Sequence, residues 1–325
     1  MSATDRAGAA FLFPGQGSQS VGMGKALAER YPESRAAFEE ADAVLGFGLA
    51  KLCFEGPEEE LTRTENTQPA LLATSVAAFR ALEAKGVVPT AAAGHSAGEY
   101  AAHVAAGTFS YADGLRLIRA RGEAMAHAGD ERPGSMAAVL GLTAEQIAEV
   151  LRAVGAPRDL AAANYNSPGQ VVLSGTPEAL ARASDEAKRL GAKRVVPLSV
   201  SAAFHSPLME AAARGLAAAL DQVAFARPRF PVYANVSAKP VREPEEARAT
   251  LKEQLLQPVL WEPTMRALIE SGTRRFVEVG NGRVLRGLAK SVDRELALFG
   301  SQDPDEVEAA AAAGAAASAA PAAPR

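Results

Sequence analysis

The chain has 325 residues, 48% of them hydrophobic, with a formal net charge of −4, a pI of about 5.8 and one cysteine, Cys53. That length and apolar content support a large core, or one domain with a smaller one attached. The mild acidity argues against a broad basic field for nucleic acid, and one cysteine can neither staple a fold nor build a cysteine metal cluster, which fits a reducing, cytoplasmic setting.

The opening, "MSATDRAGAAFLFPGQ", carries Asp5 and Arg6 ahead of a very short apolar run and is not expected to be a signal peptide. No uncharged apolar stretch reaches the roughly 18 residues of a membrane helix, so no membrane span is expected. "AAFLF" (9–13) reads as a buried strand ending in the turn "PGQGSQ". Helical periodicity follows at 21–30, 33–45 and 69–85. "TAAAGH" (90–95) reads as a second buried strand, and "SAGEYAAHVAAG" as a helix stopped by Gly107. A further helix spans 111–129, with Asp113 in its first turn and Gly129 just past its end.

The pattern then changes. "SMAAVLG" is a strand, and 143–155 is a helix whose Thr143 and Gln146 form a capping box. "DLAAANYN" and "QVVLSG" are strands around a Ser167-Pro168-Gly169 turn, followed by a helix with Pro177 at its first position and by the strand "AKRVVPL". The order βαββαβ is the split βαβ, or ferredoxin-like, arrangement. From about 202 strands and helices alternate again, with helices near 206–221, 245–256 and 262–271, strands at "PVYAN" and "RRFVEVG", a helix after Asn281-Gly282 and a last strand "ALFG". The fold class is therefore α/β, a parallel-sheet, hydrolase-like large domain (1–130 and 202–302) with an inserted ferredoxin-like subdomain (131–201). Residues 303–325 are alanine-rich without a periodic apolar face and are expected to be disordered or a frayed helix.

"GQGSQS" has a serine where the dinucleotide fingerprint needs its third glycine, so the glycine-rich first turn has another task. Gly94-His95-Ser96-Ala97-Gly98 matches G-x-S-x-G between a strand and a helix, the setting of a nucleophile elbow. The alternative is a structural turn of small residues. A serine needs a base, and the chain has four histidines. His95 leaves its strand on the face opposite Ser96. His103 lies about 10 Å along the next helix, and His127 ends an amphipathic helix. His205, where the insertion returns to the large domain, remains as the base; its bland reading is a histidine that caps the next helix. Asp113, Asp130, Asp159 and Asp185 lie between Ser96 and His205, but none follows a core strand of the large domain. The reading is a Ser-His dyad oriented by something other than a carboxylate. Arg121 falls on the apolar stripe of its helix, with Leu117, Ile118, Ala124 and Met125. A buried guanidinium demands an anion. Two remain open: an internal acid such as Glu99, or the carboxylate of a substrate held in a bidentate fork.

"FLFPGQGSQSVGMG", "TQPALLATSVA", "GHSAGEYAA", "RARGEAM", "NYNSPGQVVLSG", "AFHSPLM", "PVYANVSA" and "VEVGNGRVL" follow in order over residues 11–300. Together they resemble the malonyl-CoA:acyl carrier protein transacylases and the related acyltransferase domains of polyketide synthases. The resemblance implies Ser96 as acylated nucleophile and His205 as base, with the backbone N–H groups of Gln16 and Ala97 as oxyanion hole. The Gln254 carbonyl would orient His205, and Arg121 would hold the malonyl carboxylate. Met125 and Phe204 would shape the acyl pocket, with Asn166 near the cleft. It implies malonyl-CoA as acyl donor, a carrier-protein thiol as acceptor, and no metal or redox cofactor. Position 97 is a larger residue in most of that family, so Ala97 opens the pocket floor towards methylmalonyl, while Phe204 beside His205 matches the malonyl-selective pattern.

Acyl carrier proteins are acidic, which makes two basic clusters candidate docking surfaces: Arg283, Arg286 and Lys290 on the last helix, and Lys193 with Arg194 before the last strand of the insertion. An ordinary solvated face is the alternative for each. The expected assembly is a monomer. Three rival functions stay open: a freestanding acyltransferase serving a polyketide synthase or malonate-processing complex, a serine hydrolase or thioesterase, and a non-enzymatic carrier-docking module.

Overall fold

The structure, a computed structural model, describes residues 8–200 and 202–319. Residues 1–7, on which part of the signal-peptide expectation falls, and residues 320–325 of the tail lie outside the described residues. The chain opens with β1 (Ala9–Phe13), α1 (Lys25–Arg30), α2 (Pro32–Leu45), α3 (Leu49–Glu55), α4 (Glu58–Thr62), α5 (Thr64–Ala84), β2 (Pro89–Gly94), α6 (Gly98–Ala106) and α7 (Tyr111–Glu131). The antiparallel part follows: β3 (Ser135–Leu140), α8 (Ala144–Val154), β4 (Leu160–Ser167), β5 (Gln170–Gly175), α9 (Pro177–Arg189) and β6 (Arg194–Pro197). A 3-10 turn (Pro207–Met209) leads into α10 (Glu210–Asp221), β7 (Val232–Tyr233), β8 (Pro240–Val241), α11 (Pro244–Glu253), α12 (Trp261–Glu270), β9 (Arg275–Glu278), α13 (Val284–Val292), β10 (Ala297–Phe299) and α14 (Pro304–Ala319).

The large sheet has the order β10-β9-β1-β2-β7-β8, parallel except for the short edge strand β8. Strand β1 is central and apolar throughout because both of its faces are covered. Phe11 and Phe13 point into the core that includes Phe38, Phe79 and Tyr100; Ala10 and Leu12 point into the opposite core with Trp261 and Phe276. The small sheet, β4-β5-β3-β6, is antiparallel and has a core of its own, including Val139, Ile147, Leu173 and Leu180. It is tied back to the large part where Tyr165 N–H donates to the Val259 carbonyl and Val259 N–H to the Ala163 carbonyl.

Helix α5 begins at Thr64 rather than at 69, so Pro69 lies inside it. Proline cannot donate to the carbonyl four residues earlier. That carbonyl, of Glu65, instead accepts from the Arg119 guanidinium at 3.0 Å. The bond joins α5 to α7 at the point where Gly122 approaches so closely that a Cβ would meet the Glu65 backbone. The short helices α3 and α4 and the strand β8 have too few residues for a period to show and were not expected.

Of the two expectations for the alanine-rich tail, the described part takes the helical one, from Pro304 to Ala319. Alanine is the best helix former, Asp303 accepts from the Glu306 N–H at 2.9 Å at the helix start, and Val307 and Ala310 are buried. Glu308 pairs with Lys85 at 2.6 Å and accepts from the Tyr31 hydroxyl at 3.1 Å. Deleting residues 304–325 should therefore lower the unfolding free energy by at least about 2 kcal/mol, the worth of burying one large aliphatic side chain. Urea titration of the shortened chain measures it, and an unchanged midpoint would show that the helix contributes nothing.

Candidate active site

Ser96 lies between the end of β2 and the start of α6, with φ at 51°, the left-handed region. The two flanking glycines have separate steric reasons. A Cβ on Gly94 would overlap the Gly98 carbonyl, and one on Gly98 would overlap the Phe13 carbonyl of β1. The turn is clamped by Asn235, just after β7. Its Oδ1 accepts from Ser96 N–H at 2.8 Å, and its Nδ2 donates to the Gly94 carbonyl at 2.7 Å. A strained serine persists only where its surroundings over-determine it, and this amide spans the turn.

His205 also has a positive φ, 55°, and is 3% exposed. Its Nε2 is 2.8 Å from Ser96 Oγ, and its Nδ1 faces the carbonyls of Gln254 at 2.9 Å and Gln257 at 3.2 Å. Carbonyls only accept, so Nδ1 carries the proton and the lone pair of Nε2 accepts from the serine O–H. Burial, and then the charge of Arg121, push the imidazole down to about 3, against the opposing pull of the carbonyl bonds. It is thus a neutral base at neutral pH. None of the four aspartates expected to be uninvolved bonds it: Asp113 pairs with Arg116, Asp159 with Arg132 and Asp185 with Lys188, and Asp130 is exposed.

Arg121 is 1% exposed. Its Nη1 donates to Gln68 Oε1 at 2.7 Å, and its Nη2 to Ser96 Oγ and to Gln254 Oε1, each at 3.0 Å. All three acceptors are neutral. Glu99, the internal acid weighed as its partner, is one amide away: Gln254 Nε2 donates to Glu99 Oε2 at 2.6 Å. Burial raises the Glu99 carboxyl to about 7, offset in part by the bonds from Gln254 and Asn235 and by the Arg121 charge.

The glycine-rich turn after β1 runs alongside the elbow: His95 N–H donates to the Phe13 carbonyl at 2.9 Å, and a Cβ on Gly15 would overlap the His95 carbonyl. Gln16 follows in that turn, its side chain donating to Thr64 Oγ1 at 3.2 Å, and it lines a cavity of about 240 Å³ with Phe204, Val200, Thr64 and Ala126. Ala97 begins α6. No hydrogen bond within the described residues occupies the backbone N–H of Gln16 or of Ala97. Met125 is buried on the Arg121 helix and its sulfur accepts from Gln68 Nε2 at 3.3 Å. Asn166 sits on β4, and its Oδ1 meets His95 Nε2 at 2.8 Å, so the residue before Ser96 links the elbow to the small sheet.

The chain matches the family described as acyl transferase domain over residues 10–317. The chain belongs to the acyl transferase domain family. It is 46% identical over 302 residues to the malonyl CoA-acyl carrier protein transacylase of Bacillus subtilis, covering 93% of this chain and 95% of that one. The transacylase of Escherichia coli K12 is 42% identical over 302 residues, covering 93% and 98%. A polyketide biosynthesis protein of Burkholderia thailandensis is 43% identical over 284 residues, 87% of this chain but 24% of that one. Among solved structures, the acyl-carrier-protein S-malonyltransferase of Bartonella henselae superposes with a TM-score of 0.90 at 42% identity, covering 94% of this chain and 99% of that one. A type II polyketide synthase acyl-carrier protein in complex with its malonyl-transacylase gives 0.91 at 42% identity, with the same coverage.

In this acyl transferase domain, Gln68, Asn235, Gln257 and the bridging place of Glu99 were not foreseen. Gln68 and Asn235 lie in stretches quoted for the resemblance, and each is a buried amide beside an apolar run, the signal that was passed over. Of the basic clusters, Lys193, Arg194, Arg283 and Lys290 are exposed, Arg283 also lying 3.6 Å from Glu306. Arg286 is a correction: its side chain is 18% exposed and is bound to Glu306 at 3.0 Å and to Glu278 at 3.4 Å, so its charge serves the α13–α14 junction. No group of three metal-ligating side chains occurs among the described residues, and no helix there is long and apolar enough to cross a membrane.

Between about 6.5 and about 3 the unfolded chain protonates His205 while the folded one does not, so stability is present above 6.5 and is lost as pH falls. His205→Gln should reduce that acid slope by up to about 1.4 kcal/mol per pH unit, read from urea unfolding at successive pH values; an unchanged slope would mean that the imidazole titrates normally.

Proposed function

We propose that this chain moves a malonyl group from malonyl-CoA to the phosphopantetheine thiol of an acyl carrier protein through a malonyl ester of Ser96. In the first half-reaction Ser96 Oγ attacks the thioester carbonyl while His205 Nε2 takes the hydroxyl proton. The oxyanion sits against the N–H groups of Gln16 and Ala97, each such donor being worth about 2.7–4 kcal/mol. The C–S bond breaks, and the imidazolium returns its proton to the departing CoA sulfur. In the second half the carrier thiol gives its proton to His205 and attacks the ester, and Ser96 Oγ leaves with that proton. Serine, histidine and backbone donors supply every step, so the reading calls for no metal or redox cofactor.

The observation that carries the malonyl assignment is Arg121, a buried guanidinium with only neutral acceptors, 3.0 Å from the nucleophilic oxygen. A hydrolase for neutral esters has no use for it, and a docking module has no use for the dyad. The transacylases among the relatives support a carrier-protein acceptor. The complex with a type II polyketide carrier supports a second reading, a polyketide carrier as acceptor, which transfer rates to the two kinds of carrier separate. The reading includes a cytoplasmic monomer; the single cysteine, buried and free, fits a reducing compartment, and cell fractionation and light scattering test the two parts.

Mass spectrometry after mixing with malonyl-CoA should show one malonyl group on the wild-type chain and none on Ser96→Ala; an adduct on the variant would move the nucleophile elsewhere. Arg121→Ala leaves the malonyl carboxylate desolvated and unpaired, a cost of about 3–5 kcal/mol. Malonyl loading should fall by about a hundredfold or more while acetyl loading holds or rises. Equal losses with a lowered melting temperature would sink the substrate role.

The exposed residues Lys193, Arg194, Arg283 and Lys290 are the charges offered to an acidic carrier. Reversing them should slow transfer to the carrier and spare loading from malonyl-CoA; equal slowing of both half-reactions would count against docking there.

A further inference from the structure

Glu99 stands three residues after the nucleophile in the first turn of α6 and is 1% exposed. A glutamate there could favour the helix N-terminus from the surface, so its burial needs another reason. Its Oε2 accepts from Gln254 Nε2 at 2.6 Å and from Asn235 N–H at 3.3 Å. A carboxylate only accepts. It therefore fixes which way the Gln254 amide faces: NH2 towards Glu99 and the Ser96 carbonyl at 3.1 Å, Oε1 towards Arg121 Nη2 at 3.0 Å. The main chain of the same residue accepts from His205 Nδ1 at 2.9 Å. Gln254 thus meets the base, the guanidinium and the nucleophile turn at once, and Glu99 sets its orientation. Had Glu99 paired with Arg121 directly, the guanidinium fork would be consumed. Relayed through an amide, the carboxylate offsets the charge, and Arg121 Nε keeps no partner among the described residues.

We propose that Glu99 is a positioning residue for acyl transfer, holding the Gln254 side chain so that Arg121 is aimed at the carboxylate of the acyl group. The inference rests on the malonyl-transfer reading above. The charged and titratable groups around Glu99 are Arg121 from α7 and Tyr100 from its own helix, with Gln254 and Asn235 as its neutral donors. Its carboxyl titrates at about 7. Below that pH a proton on Oε1, which has no partner among the described residues, leaves Oε2 a neutral acceptor, so the charge-assisted hold on the Gln254 amide is present above about 7 and weakens as pH falls through it.

The test is single-turnover loading of Ser96 from malonyl-CoA and from acetyl-CoA across neutral pH, with wild type, Glu99→Gln and Glu99→Ala, and melting temperatures alongside. Wild-type malonyl loading should rise as pH passes neutrality. Glu99→Gln can accept the bond but cannot ionise, and should lose that rise. Glu99→Ala frees the amide, and the malonyl-to-acetyl ratio should fall about tenfold to a hundredfold, the worth of one charge-assisted hydrogen bond. The inference is overturned if Glu99→Gln keeps the wild-type pH profile, or if Glu99→Ala loses both acyl groups in equal proportion. Should Glu99→Ala fail to fold, the Glu99→Gln profile decides. A wild-type chain that takes acetyl but not malonyl overturns the malonyl reading and this inference with it; the variant outcomes overturn this inference alone.

Discussion

A guanidinium buried one hydrogen bond from a serine hydroxyl is the constraint around which this molecule is arranged. An unpaired charge removed from water costs several kcal/mol, and the fold meets that cost with amide oxygens rather than with a carboxylate in contact. Gln68 from α5, Gln254 from the end of α11 and Ser96 from the elbow converge on Arg121 from three parts of the chain. Their convergence depends on α7 lying tight against α5, which in turn depends on Gly122 and on the Arg119 bond to the carbonyl that Pro69 leaves free.

The dyad has the same character. Ser96 and His205 are both held at positive φ, and they face each other across the seam where the inserted part rejoins the large sheet. Such conformations persist when neighbouring bonds over-determine them. Asn235 spans the serine turn, and two glutamine carbonyls hold the histidine. Using carbonyls where other hydrolase-like sites use an acid has an electrostatic consequence. The imidazole gains orientation without a negative neighbour to raise its proton affinity, so burial and Arg121 keep it neutral. A buried guanidinium and a neutral imidazole can then lie side by side at Ser96.

Much of this was legible in the sequence, where local rules apply. The unbroken apolar run of Ala9–Phe13, the Thr143–Gln146 capping box, Pro177 at a helix start and the change to βαββαβ all express patterns and caps set by a few neighbouring residues. The G-x-S-x-G spacing carried its own steric reason, and the inward Arg121 was visible as a charge on an apolar stripe. Segments of few residues were lost: α3, α4 and β8 offer no period to read. The alanine-rich tail left disorder and helix both open because a helix of small side chains shows no apolar face; Val307 and Ala310 pack once a surface is present.

The sequence by itself carried the fold class, the elbow at Ser96, the choice of His205 among four histidines and the inward face of Arg121. Tertiary structure alone decided what surrounds them. Asn235 lies 139 residues from Ser96 along the chain, and Gln254 lies 155 from Glu99. Those contacts exist because β7 pairs beside β2 in the sheet and α11 delivers the next turn onto the elbow. A local pattern encodes which face a residue takes. Which distant amide meets that face follows only from the order in which the strands assemble, and that order gave Glu99 its place beside Gln254 instead of against Arg121.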